Sequence, residues 1–140
     1  MSTGPSGVYV APAGTGYSRA MTIMADSVSF ERFERLLDDE SIPVVHRALW
    51  LLLWQSDVRV LDLLALEVTD VERIRPVAAG AESELGERAD ALLGRLVGDR
   101  ATGPLFAVGS RALSWDEAVR VAKEHGHAIH AFRTSGRRHR

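Results

Sequence analysis

Arg59 and Asp62 stand three positions apart in a strongly apolar stretch, close enough on a helix for the carboxylate to orient the guanidinium. His130 and Arg133 repeat that spacing farther along the chain. An imidazole can move a proton near neutral pH, and a guanidinium fork matches a phosphate or carboxylate with two hydrogen bonds. Each pair also has a purely structural reading. Arg59 can snorkel at the edge of the core with Asp62 as its partner, and His130 and Arg133 can belong to a solvated basic end. His125, His127 and His130 form an H-x-H-x-x-H string, but a helix aligns only the last two and a strand only the first two. Gly126 interrupts them as well, so no metal is expected there.

Other strings carry less. Gly14 to Arg19 has the look of a nucleotide loop without its lysine, preceding strand or following helix. Val108-Gly109-Ser110-Arg111 lacks the second glycine of a hydrolase elbow. Trp50 and Trp54, one helical turn apart, suit a core better than a base-stacking platform. Asp38-Asp39-Glu40 is a solvated acidic corner in the absence of any sign of a pocket.

The elements that must position these groups are mostly helical. Residues 1–25 are rich in Gly, Pro, Ser and Ala and read as a flexible N-terminal arm with at most a short strand at Val8 to Val10. Ser27 or Ser29 caps a first helix with Phe30, Phe33, Leu36 and Leu37 on one face, and the acids before Pro43 end it. Val44 to Trp54 is apolar all round, the pattern of a buried central helix. Gln55-Ser56-Asp57 offers a cap for a short helix carrying Arg59 and Asp62, and Val68 to Arg75 suggests a strand cut short by Pro76. Glu84 to Val97 carries a helical stripe that ends at Gly98, and residues 103–109 are extended. Ser114 to Glu117 is a capping box for a helix with Trp115, Ala118, Val119 and Ala122 inward, closed by Gly126.

A chain of 140 residues suits one domain, and the formal net charge of −2 gives no global field for polyanions, so any nucleic-acid contact must be local. There is no cysteine, which excludes disulfides and thiolate chemistry. Lys123 is the sole lysine, so nearly all positive charge is arginine. The longest apolar run, Ala48 to Trp54, is far short of a membrane span, and no signal pattern opens the sequence, so the expectation is a cytoplasmic protein without membrane association.

Three strings resemble the C-terminal catalytic domain of the tyrosine recombinase, or phage integrase, family: SFERFERLL at Ser29 to Leu37, ALWLLLWQSDVRVLDLLALEVTD at Ala48 to Asp70, and IHAFR at Ile129 to Arg133. The resemblance implies a mainly α fold with a small β component, a shortened recombinase catalytic domain over residues 26–133 followed by a basic tail at 134–140. It also implies that Arg59 and Arg133 are the two arginines that grip a scissile phosphate, that His130 is the box histidine, and that Asp62 orients Arg59. The departures bear on activity. The family's nucleophilic tyrosine follows the H-x-x-R box, whereas residues 134–140 hold none and the only tyrosines are Tyr9 and Tyr17. No lysine occurs in Val71 to Glu84, where the family's hairpin lysine falls, and Asp57 replaces a glycine at the arginine turn.

The expectation is therefore a catalytically degenerate, integrase-like DNA-binding protein that uses no cofactor. Arg59, Arg133, Arg137, Arg138 and Arg140 would contact the phosphate backbone, with Arg59, His130 and Arg133 as vestiges of a catalytic set. A non-enzymatic protein-interaction or regulatory module, homodimeric or partner-bound, is the alternative. A fragment of a split recombinase completed in trans is the third reading.

Overall fold

A computed structural model describes residues 27–79 and 85–139; the N-terminal arm and Arg140 lie outside the described residues. The order of elements is α1 (Phe30–Asp38), α2 (Val44–Gln55), α3 (Val60–Leu64), a 3-10 turn (Val68–Asp70), α4 (Val71–Ala79), α5 (Gly86–Val97), β1 (Ala107–Val108), β2 (Arg111–Ala112), α6 (Trp115–Glu124) and α7 (Ala131–His139). The fold is mainly helical, and its small β component is one antiparallel hairpin in which Ala107 faces Ala112 and Val108 faces Arg111.

The centre is α2. Every residue from Val45 to Gln55 is buried, and the helix packs against α7, α5, α4, α1 and α3. No side chain caps its N-terminus at Pro43, so tertiary burial rather than capping holds this helix. Two aromatic stacks lock α1 and α7 onto it. Phe33 lies flat on Trp54 with ring centroids 4.1 Å apart, and Trp50 lies on Phe132 at 4.8 Å. The tryptophans are thus core, each buried to within 1%, and each full burial stabilises by about 1.5–3 kcal/mol.

Local sequence explains the helix ends. The Ser29 hydroxyl accepts from the Arg32 amide at 3.1 Å and opens α1. Beyond Asp38, the Asp39 carboxylate accepts from the Ser41 amide at 3.0 Å and hydroxyl at 2.6 Å, which turns the chain toward α2. The Ser114 hydroxyl accepts from the Glu117 amide at 3.2 Å and opens α6. At the other end of α6, Gly126 (φ +89°) donates to the Lys123 carbonyl at 2.9 Å while the His127 amide donates to Ala122 at 3.1 Å. This is the paired C-terminal closure that needs a left-handed residue.

Four expectations are corrected. Val68 to Arg75 is not a strand but a 3-10 turn running into α4, which continues through Pro76. Val68, Val71 and Ile74 recur every third residue, a helical spacing, and Glu67 and Asp70 cap the start reciprocally. The cap of α3 is Arg59, not Gln55 to Asp57; Ser56 instead closes α2 by donating to the Leu52 carbonyl at 2.7 Å. Trp115 is 44% exposed, with Val121 taking its expected place in the core. As the first residue of α6, Trp115 points back past the packed face of its helix. Finally, the segment expected as a basic tail from 134 is the body of α7, with Ser135 and Gly136 buried.

Candidate phosphate-binding corner

The link between α2 and α3 crosses in front of α7, and Arg133 and Arg137 reach it there. Arg59 sits at the N-cap of α3 in extended conformation, and its carbonyl starts the helix by accepting from the Leu63 amide at 3.0 Å. Its side chain is exposed, and its guanidinium has no hydrogen bond or ion pair among the described residues. The expected Arg59–Asp62 ion pair does not form among the described residues. Asp62 instead occupies the first turn of α3, where a negative charge complements the helix dipole.

The residue that ties the corner together is Asp57. Its carbonyl accepts from Nε of Arg133 at 3.0 Å, and its Oδ1 accepts from Nε of Arg137 at 3.1 Å and forms an ion pair with Nη2 at the same distance of 3.1 Å. Arg133 and Arg137 are four residues apart, so both point off one side of α7 toward the link. Two trans peptides separate Cα of Asp57 from Cα of Arg59, a span of at most about 7.6 Å. Arg133 therefore anchors on the same short stretch of backbone that presents Arg59. Both Nη groups of Arg133 remain without a partner among the described residues.

His130 precedes α7 with an exposed side chain, and its carbonyl accepts from the Arg133 and Thr134 amides, each at 3.1 Å. One helical turn then carries His130 and Arg133 to neighbouring positions. Arg138 lies on another flank, exposed and without a hydrogen bond or ion pair among the described residues, beside an open groove of about 520 Å³ between the start of α1 and the end of α7. That groove is also lined by Ser27, Ser29, Arg32 and His139. Arg140 lies outside the described residues.

The remaining histidines separate. The His125 ring meets Trp50 edge-on at 5.8 Å, and the His127 ring meets Phe132 edge-on at the same separation of 5.8 Å. The closure at Gly126 sends successive side chains in different directions, and no cluster of three metal-ligating side chains occurs among the described residues. The acidic corner is also occupied: Asp38 meets Arg88 at 3.2 Å, and both carboxylate oxygens of Glu40 meet Arg95 at 3.3 Å. The Ser41 hydroxyl and amide lower the pKa of Asp39, and Arg95 lowers that of Glu40.

Three structural roles escaped the sequence reading. Arg47, only 2% exposed, donates to the Ile42 and Leu37 carbonyls at 2.9 and 3.0 Å and closes the turn after α1. Arg100 distributes its guanidinium over the carbonyls of Val97, Leu96, Leu105 and Pro104. Gly136 is the closest approach of α7 to α2. A hydrophobic count passes over buried arginines, but Gly136 beside Ser135 on a helix was a signal of close packing.

No family model matches the chain, and no curated protein or solved structure matches it. No helix among the described residues is long and apolar enough to cross a membrane.

Proposed function

We propose that this protein binds duplex DNA through its phosphate backbone without cutting it, using Arg59 and Arg133 as the gripping pair and Arg137 and Arg138 as flanking charges. The observation that carries the reading is the anchoring of Arg133 on the Asp57 carbonyl, two residues from Arg59. Two guanidinium forks with unused donors suit the non-bridging oxygens of one phosphate. The resemblance of the IHAFR and arginine-turn strings to those of tyrosine recombinases favours the same assignment. A transesterification would need a nucleophile and a leaving-group acid beside this phosphate; the described residues hold no tyrosine, and their one lysine, Lys123, stands in the last turn of α6. The setting this reading requires is the cytoplasm.

Fluorescence anisotropy of labelled duplex DNA at low and physiological salt tests the proposal. About three phosphate contacts give a log–log salt slope near −3, and Arg59→Ala and Arg133→Ala each weaken binding severalfold. Salt-independent binding, or binding indifferent to both substitutions, refutes it.

A second reading, as a protein-interaction module, is favoured by Leu61 and Trp115, which are 63% and 44% exposed on the mutually packed helices α3 and α6. Size-exclusion chromatography with light scattering distinguishes a homodimer, which Leu61→Glu would dissociate, from a monomer.

A further inference from the structure

We propose that Asp57 is a built-in competitor for the arginine corner, holding Arg137 where a DNA phosphate would otherwise hold it and so setting the affinity and salt dependence of the site. The inference rests on the corner being a phosphate-binding surface and adds what regulates its strength. The contact itself is the argument. Arg137 turns Nε and Nη2 onto the single oxygen Oδ1, each at 3.1 Å, an arrangement it could equally offer to a phosphate oxygen.

The pair is also replaceable. Its side chains are 58% and 62% exposed, so no buried charge is stranded when they part, and an exposed ion pair of this kind holds weakly. The anchor on Arg133, in contrast, uses the Asp57 main-chain carbonyl, which any residue at 57 retains. Neutralising the carboxylate therefore releases Arg137 while leaving the corner assembled. From Ala131 to His139 the helix carries Arg133, Arg137 and Arg138 and no acid, so the carboxylate that engages its arginines comes from the link.

The experiment is a cycle of Asp57→Asn and Arg137→Ala in full-length protein, titrated against labelled duplex DNA over a salt series. Circular-dichroism melts check that each variant is folded. Asp57→Asn is expected to tighten binding about three- to tenfold at low salt and to steepen the log–log salt slope by about one, the signature of one added phosphate contact. In the Arg137→Ala background the gain should shrink to less than half, because the side chain that exploits the vacancy is gone.

An equal gain with or without Arg137 would reduce Asp57 to a general negative charge and overturn the proposal, as would binding that Asp57→Asn leaves unchanged or weakens. Arg59→Ala separates this failure from that of the underlying reading. If Arg59→Ala weakens binding while Asp57→Asn does nothing, the corner stands and the competitor falls. If neither wild type nor Asp57→Asn binds DNA, both fall.

Discussion

Gly136 is where one atom decides how closely two helices approach. A Cβ added there would stand 2.2 Å from the Trp54 carbonyl oxygen and 2.6 Å from its Cα, which are main-chain atoms of the buried central helix. A shift of α7 would disturb the Trp50–Phe132 stack, and a shift of α2 the Trp54–Phe33 stack as well. Gly136→Ala is therefore expected to destabilise the protein by about 3 kcal/mol, despite the better helix propensity of alanine. A urea titration checks this, and an unchanged midpoint would mean that α7 does not seat so closely on α2. Arg59, His130 and Arg133 were legible as types and spacings, because a side-chain pattern is what the sequence displays. Their partners were not: Asp57 engages Arg133 through a main-chain carbonyl, which no side-chain pattern announces.

Among the elements, α2 was the most legible, since an apolar surface on all sides has few destinations in water. Its neighbours were harder to read. The strand expected at Val68 to Arg75 failed because three apolar residues at a spacing of three fit a helix, and Pro76 did not end it. The basic end was read from composition as a tail, yet Phe132, Ser135 and Gly136 form a narrow inward stripe that docks α7 on α2. The Val28 amide also donates to the Ser135 hydroxyl at 2.9 Å, joining the entry of α1 to α7. Such a long-range contact has no local signal.

The central helix α2 contains a pH-sensitive group that feels the charges of α6. His46 is 4% exposed, its Nδ1 has no hydrogen-bond partner among the described residues, and burial lowers its pKa from the usual 6.5. Glu117 and Glu124 partly oppose that shift, while Arg120 and His125 add to it. The folded protein keeps the imidazole neutral and the unfolded chain protonates it, so this contribution is complete above 6.5 and is lost as pH falls toward the folded value. Stability should fall below pH 6.5 with a slope of up to about 1.4 kcal/mol per pH unit from this group. His46→Phe should remove that component in melts between pH 7 and 5, and an unchanged slope would assign it elsewhere. Asp39 and Glu40, whose pKa values are lowered, act in the separate acidic window below the ordinary carboxylate range.

On the scale of the whole molecule, a formal net charge of −2 means that DNA is not drawn in by the overall field. On the proposed reading, contact with DNA is therefore local, at the α2–α3 link and α7. The acidic turn after α1 is engaged with Arg47, Arg88 and Arg95, which reduces its repulsion of a polyanion. The mainly helical class followed from periodicity, whereas the hairpin did not: only the extended run at 103–109 was read, and the paired strand Arg111–Ala112 lies beyond it. The contact of Arg133 with the Asp57 carbonyl, two residues from Arg59, depends on packing α7 across the end of α2, a consequence of Gly136 and the aromatic stacks rather than of either motif. The most direct test is a double-mutant cycle of Arg59→Ala and Arg133→Ala on duplex-DNA affinity at low salt. Two arginines gripping one phosphate are coupled, so each single substitution should weaken binding, with the double loss short of their sum by about 0.5 kcal/mol or more. Single substitutions without effect, or losses that add independently, would contradict a shared phosphate at this corner.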